Sequence, residues 1–169
     1  MLAQRFNSII NFSDPGAVTG IKIISPASGR VEAISSDDPN SIGEGIKIIL
    51  ESQKIISPIN GRIMAVTPSH GQIIVQAKNK LRFQLQLPFD YSNFHGLGIR
   101  LNVKEGQAVN KGDRLMELDL YKIKFNLQPV PLYITLLTPD AFGRIDVPHR
   151  HVQFGQDTIF SLVPTQTKK

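Results

Sequence analysis

The chain repeats itself. Ile23-Ile24-Ser25-Pro26-Ala27-Ser28-Gly29-Arg30-Val31-Glu32-Ala33-Ile34 returns as Ile55-Ile56-Ser57-Pro58-Ile59-Asn60-Gly61-Arg62-Ile63-Met64-Ala65-Val66. In each copy an apolar run meets Ser-Pro, passes a glycine and resumes with alternating apolar residues. Proline fixes φ and glycine relaxes the steric limits on the backbone, so each copy predicts a strand, a tight turn and a second strand. Two copies are too few for a solenoid. They predict two equivalent corners of an all-β, pseudo-symmetric antiparallel sandwich or barrel, with Gly29 and Gly61 where a β-carbon is disfavoured.

The rest of the chain from Gly20 onward has the same grammar: short Ile, Val and Leu runs punctuated by glycine, proline and asparagine. A third corner is read over Val103–Leu118, where Gly106 and Gly112 flank a short strand, and a fourth over His151–Phe160 around Gly155. Leu81–Leu87 alternates strictly. Leu81, Phe83, Leu85 and Leu87 are expected to face the core and Arg82, Gln84 and Gln86 to face outward, with Gln86 at least partly exposed. A turn or two of helix is expected near Leu120–Asn126.

The first dozen residues differ. Leu2, Phe6, Ile9 and Ile10 recur at helical spacing before Ser13-Asp14-Pro15-Gly16 breaks the pattern. This predicts a short amphipathic N-terminal helix, with residues 1–16 as tail and linker and 17–169 as the β domain. Such a helix either packs on the domain or lies on an anionic membrane surface, although Arg5 is the sole cation on its polar face.

Composition excludes several function classes. With no cysteine there is no disulfide scaffold, thiol nucleophile or thiolate metal site. The net charge of +5 comes from scattered residues, apart from Lys168-Lys169, and neither an RNA-binding signature nor a recognition-helix pattern accompanies it, so no nucleic-acid partner is expected. No apolar run is long enough to span a bilayer, and the N-terminus lacks a signal peptide's layout. The expected location is cytoplasmic, with contact to the inner membrane face through residues 1–12.

The corners, taken in order, resemble the glucose-type IIA family of the bacterial sugar phosphotransferase system. The family's Pro-x-Ser-Gly corner is matched by Pro26-Ala27-Ser28-Gly29, its Pro-x-(Asp/Asn)-Gly corner by Pro58-Ile59-Asn60-Gly61, and its Gly-(Asp/Glu)-Gly-Ile by Gly43-Glu44-Gly45-Ile46. Glu105-Gly106-Gln107-Ala108-Val109-Asn110-Lys111-Gly112-Asp113 and Glu117-Leu118-Asp119-Leu120 follow. Lipoyl domains share the Glu-Gly corner; it is the order and spacing of the set that point to the family, from about Gly20 to Phe160.

The resemblance implies a phosphoryl-accepting histidine in a His-Phe-Gly-Ile-Asp stretch and a supporting histidine within Thr-x-His. Here the first stretch aligns with Gln86-Leu87-Pro88-Phe89-Asp90, so Gln86 stands where the acceptor is expected and Asp90 is kept. The candidate supporting residue is His70, in Pro68-Ser69-His70-Gly71, unless it is an ordinary loop histidine. A glutamine amide has its nitrogen lone pair delocalised and cannot carry a phosphoryl group as imidazole does. The loop Ser35–Ile42 is shorter and more polar than the family's docking loop.

These residues lead to the expectation of a non-catalytic, phosphorylation-incompetent binding or regulatory module linked to sugar uptake, with Gln86, His70 and Asp90 at the site. Its expected partners are phosphocarrier or permease domains, with no cofactor and no metal. The alternative is an active phosphocarrier that uses His70 in phosphoenolpyruvate-dependent sugar transport. A zinc peptidase is a third reading from His149-Arg150-His151, but neither His70 nor His95 has the aspartate four residues on that such a site needs. Lys78 and Lys80 sit at a hairpin tip without the flanking pattern of a lipoyl or biotinyl lysine.

Overall fold

A computed structural model describes residues 8–13, 20–40, 43–88, 98–124 and 129–165. These residues form fifteen strands: β1 Ile10–Phe12, β2 Ile21–Ile24, β3 Gly29–Ala33, β4 Glu44–Leu50, β5 Lys54–Ile56, β6 Gly61–Thr67, β7 Gln72–Gln76, β8 Arg82–Gln86, β9 Ile99–Leu101, β10 Ala108–Val109, β11 Arg114–Leu118, β12 Pro131–Leu136, β13 Phe142–Val147, β14 His151–Val152 and β15 Thr158–Pro164. One short helix, α1 (Leu120–Lys124), fills the place of the expected turn or two. Asp119 caps it, its carboxylate accepting from the Lys122 N–H at 3.2 Å.

The strands form three sheets, of orders β1-β13-β15-β2, β10-β6-β7-β8-β12-β4-β3-β14 and β5-β11-β9. Among the described residues every pairing is antiparallel except that of β1 with β13. The arrangement is sandwich-like. The barrel alternative is not realised, because each sheet among the described residues has two open edges.

The repeated segment occupies matching places. β2 turns into β3 as β5 turns into β6. The Ser25 hydroxyl donates to the Ala27 carbonyl at 2.7 Å, and the Ser57 hydroxyl to the Ile59 carbonyl at 2.7 Å. The Val31 N–H donates to the Arg150 carbonyl, and that of Ile63 to the Gln107 carbonyl. Read from either end, the eight-stranded order pairs β10 with β14, β6 with β3, β7 with β4 and β8 with β12. Gly29 and Gly61 open their strands rather than sit within turns. A β-carbon on either would meet a neighbouring backbone carbonyl oxygen, of Ile49 at 2.0 Å or of Gln76 at 2.2 Å.

The core lies between the sheets. On β4 the alternating Ile46, Ile48 and Leu50 are buried, as are Phe83, Leu85 and Leu87 on and just after β8. Phe83 stacks on Phe160 of β15 with ring centroids 6.0 Å apart, tying the eight-stranded sheet to the four-stranded one. No helix among the described residues is long and apolar enough to cross a membrane.

The N-terminal segment departs from expectation. Residues 10–12 are a strand, not the end of a helix, and pair in parallel with Ile145–Val147. The Ile9 carbonyl accepts from the Ile145 N–H at 2.8 Å, the Ser13 N–H donates to the Val147 carbonyl at 3.0 Å, and Ile9 and Ile10 pack on the core. Consecutive Ile9-Ile10 satisfies a helical spacing in sequence, yet the open edge of β13 offers backbone partners that a short isolated helix lacks. Residues 1–7, with Leu2, Arg5 and Phe6, lie outside the described residues. Removing residues 1–13 is therefore expected to lower stability by about 2 kcal/mol, from lost ladder bonds and apolar burial, read as a shifted midpoint in a urea melt.

Candidate functional site

The site grows from the β7–β8 hairpin. Its tip, Ala77–Leu81, is closed by the Ala77 N–H on the Leu81 carbonyl at 2.8 Å, with Lys80 at φ +69°. Lys78 and Lys80 belong to this tip. Outward from it, Gln76 lies opposite Arg82 and Ile74 opposite Gln84. The same register brings Gln72 to Gln86, whose side chains are hydrogen-bonded at 3.0 Å. β12 continues the rows: Tyr133 lies opposite Gln86 and Thr135 opposite Gln84. Next to Tyr133 comes Lys47 of β4, and next to Lys47 comes Glu32 of β3. One polar row thus runs Gln72, Gln86, Tyr133, Lys47, Glu32 across five strands.

Gln86 does lie on the face opposite Leu85 and Leu87, as its parity requires, but it is not exposed. Its relative accessibility is 1%, and that of Gln84 is 7%. A sheet-face side chain is open to solvent only when its cross-strand neighbours are short, and here Gln72, Gln84 and Tyr133 flank it. The Gln86 Oε1 accepts from the side-chain amides of both Gln72 and Gln84, each at 3.0 Å. Gln72 in turn accepts from the Thr67 hydroxyl at 3.0 Å. The Gln86 Nε2 is buried with no hydrogen-bond partner among the described residues.

His70 stands beside this row. Pro68–His70 make one 3-10 turn after β6, and Gly71 ends it in the left-handed region at φ +54°. A β-carbon on Gly71 would meet the Leu87 side chain at 2.8 Å, so the turn is seated against the end of β8. His70 is half-buried, with its Nδ1 fully buried. Asp90 and His95 lie outside the described residues. His149 and His151 are not brought together as a metal pair. His149 packs edge-on against Phe12, with centroids 5.5 Å apart, and the His151 Nδ1 lies 2.9 Å from Glu51 Oε1. No group of three or more potential metal ligands is present among the described residues.

The loop that begins at Ser35 is tied to the row. The Tyr133 hydroxyl donates to Asp38 Oδ2 at 2.7 Å, and Asp38 Oδ1 accepts from the Asn40 N–H at 2.9 Å. Burial works to raise the Asp38 carboxyl, but hydrogen bonds from Tyr133 and Asn40 and the charge of Lys47 outweigh it, so the group titrates below its usual 3.8. Its stabilising contribution is complete above the unfolded-state value and is lost as pH falls through the folded one. Tyr133→Phe is expected to cost about 1 kcal/mol at neutral pH, and the gap from the unmodified protein should close in acid once Asp38 is protonated. Urea melts at about pH 7 and about pH 2.5 measure both values.

Gln72, Thr67, Tyr133 and Asp38 escaped the sequence reading, whereas Gln84 was already set on the same face as Gln86. For Gln72 a signal existed: counting back from the hairpin tip sets it beside Gln86. For Tyr133 and Asp38 there was none, because they come from distant segments.

Comparison with known proteins bears on this site. The model of the family described as phosphoenolpyruvate-dependent sugar phosphotransferase system, EIIA 1, matches residues 21–141. A glucose-specific EIIA component of that system from Oceanobacillus iheyensis is 29% identical over 109 residues, spanning 62% of this chain and 66% of the relative. One from Bacillus cereus is 28% identical over 134 residues, spanning 70% and 75%. Among solved structures, the glucose permease IIA from Mycoplasma capricolum superposes with a TM-score of 0.68 at 21% identity, covering 85% of this chain and 96% of that one; at that identity the likeness shows the fold.

These matches correct the expectation of a phosphorylation-incompetent, non-catalytic module, because the relatives are named as EIIA components of the transport system, not as regulators derived from it. That expectation rested on glutamine standing where the acceptor histidine is expected; the matches favour the alternative, an active carrier with His70, which ends the turn leading into β7. With the family model matching well over half of its length, the chain belongs to the EIIA 1 family of the phosphoenolpyruvate-dependent sugar phosphotransferase system.

Proposed function

We propose that this chain is a phosphoryl carrier of that system and that His70 is its accepting imidazole. The observation that carries the proposal is placement. Of the described histidines, His70 alone stands beside the Gln72–Gln86 row, where the family's acceptor is expected, while His149 and His151 sit around β14 at the far end of the strand order.

The step needs little from the protein beyond positioning. A lone pair of the His70 imidazole attacks phosphorus on a partner's phosphohistidine, a new N–P bond forms, and the partner's N–P bond breaks with its electron pair returning to that ring. Each ring keeps the proton on its other nitrogen, and nothing is oxidised or reduced. The partners are a phosphohistidine-bearing carrier upstream and a permease domain downstream, and the family resemblance adds Asp90 to the site. Glucose is the sugar named for the relatives. The fold's own contribution is to hold His70 on a proline-started turn seated on Leu87.

The test is transfer of label from phosphoenolpyruvate through the system's general enzymes. The chain should acquire an acid-labile phosphohistidine, and His70→Ala should abolish it while His149→Ala and His151→Ala leave it unchanged. Label that survives His70→Ala and disappears in His95→Ala would overturn the assignment to His70; no label on the unmodified chain would overturn the carrier function.

A further inference from the structure

Gln86 presents an unusual balance of hydrogen bonds. Its Oε1 accepts twice, from Gln72 and Gln84. Its Nε2 donates to nothing among the described residues, though the residue is 1% exposed. A buried amide donor left unspent is costly, and such a group in a native protein calls for a reason, of which a bound ion or a catalytic role is one. With the Gln72 and Gln84 amides placed as they are, turning the Gln86 amide over would aim its NH2 at two amide donors, so Oε1 faces Gln72 and Gln84 and Nε2 is left unengaged.

The chain of amides adds direction. The Thr67 hydroxyl donates to Gln72 Oε1, and the Gln72 amide donates to Gln86 Oε1. Each bond withdraws electron density from the next amide, so the Gln86 N–H groups at the end become better donors. The fitting acceptor is electron-rich and offers several oxygens. No cation suits a site whose free atom is a donor, and a neutral carbonyl would leave one of two N–H bonds idle.

We infer that Gln86 Nε2 is a phosphoryl-oxygen donor: it binds the oxyanion of a phosphoryl group held beside it, at the end of the Thr67–Gln72–Gln86 chain. This rests on the proposed carrier function for its biological ligand, with the phosphoryl group on His70, but the oxyanion site is a property of the amide row itself. Glutamine at this position is then a functional substitution. An uncharged donor with two N–H bonds stabilises phosphoryl oxygen without competing for the phosphorus.

Two measurements separate the possibilities. The first needs no phosphoryl transfer: inorganic phosphate is titrated into 15N-labelled protein while the side-chain NH2 signals are followed. The Gln86 signal should move and saturate, and it should still do so in His70→Ala. An unmoved Gln86 signal overturns the inference. The second uses the labelling assay with Gln86→Met, which keeps the length and removes the donor, and Gln86→Glu, which puts a carboxylate there. Gln86→Met should slow acceptance roughly tenfold to a hundredfold, and Gln86→Glu should slow it further by charge repulsion. Unfolded variants are identified by their melting curves, and Thr67→Val, a milder change to the chain, should slow acceptance by a smaller factor. If the unmodified chain takes no label but phosphate moves the Gln86 signal, the carrier function falls and the oxyanion site stands. If it labels through His70 and the Gln86 variants label at the same rate, the inference alone falls.

Discussion

Gly29→Ala is expected to cost about 3–5 kcal/mol, and Gly61→Ala nearly as much. The added β-carbon at residue 29 would lie 2.0 Å from the Ile49 carbonyl oxygen and 2.8 Å from the Ile48 side chain. At residue 61 it would lie 2.2 Å from the Gln76 carbonyl oxygen. Backbone carbonyls cannot rotate away as side chains do, because Ile49 and Gln76 belong to the sheet ladder. Relief requires β3 to move off β4, or β6 off β7, with loss of the hydrogen bonds beside the contact. Gly106→Ala is the control. Nothing lies within 4 Å of its β-carbon, and its positive φ of +88° is the only penalty, about 1 kcal/mol. For a chain of this size the first two changes should lower Tm by on the order of 10 °C and the control by a few degrees. Equal, small shifts for all three would mean that the two corners are not built by close backbone approach.

Those glycines also show how far the sequence could be read. The repeat, the alternation over Leu81–Leu87 and the order of the corners are local patterns, and the sheets follow them closely: Phe83, Leu85 and Leu87 are all 0% exposed. The matched hydrogen bonds of Ser25 and Ser57 come from identical Ser-Pro chemistry, which the repeat itself displays. What could not be read was set by partners far away in sequence. β1 is a strand because the edge of β13 is open to it, a fact held 135 residues away. Gln86 has the right parity for the outer face, but parity says nothing of Tyr133 beside it. The carboxylate of Asp38 finds Tyr133 across 95 residues, so the anchoring of the loop after Ser35 leaves no local trace.

The hydrogen bonding of Gln86 leads to the prediction with the largest effect on activity. His70→Ala is expected to remove phosphoryl acceptance altogether, and Gln86→His added to it is expected not to restore it. On the sequence alone the second change returns the family's acceptor to its place. The structure argues otherwise. A nucleophile must meet phosphorus in line with the bond that breaks, so its nitrogen needs a lone pair free to point at it. The Gln86 side chain is 1% exposed and lies between Gln72 and Tyr133, with Gln84 on the same face. An imidazole built there takes over the two amide donors of Gln72 and Gln84, and those bonds occupy the lone pair that would have to attack. It gains a histidine without gaining a nucleophile. Clearing the row should change the result: with Gln72→Ala as a third substitution, one donor and its bulk are gone, and weak labelling of residue 86 becomes attainable. The measurement is the amount of acid-labile phosphate per chain in the unmodified protein and the single, double and triple variants, with the labelled peptide identified by mass. Full labelling of the double variant would show that the Gln72 and Gln84 amides leave the imidazole lone pair free and that position 86 remains a competent acceptor site in this chain.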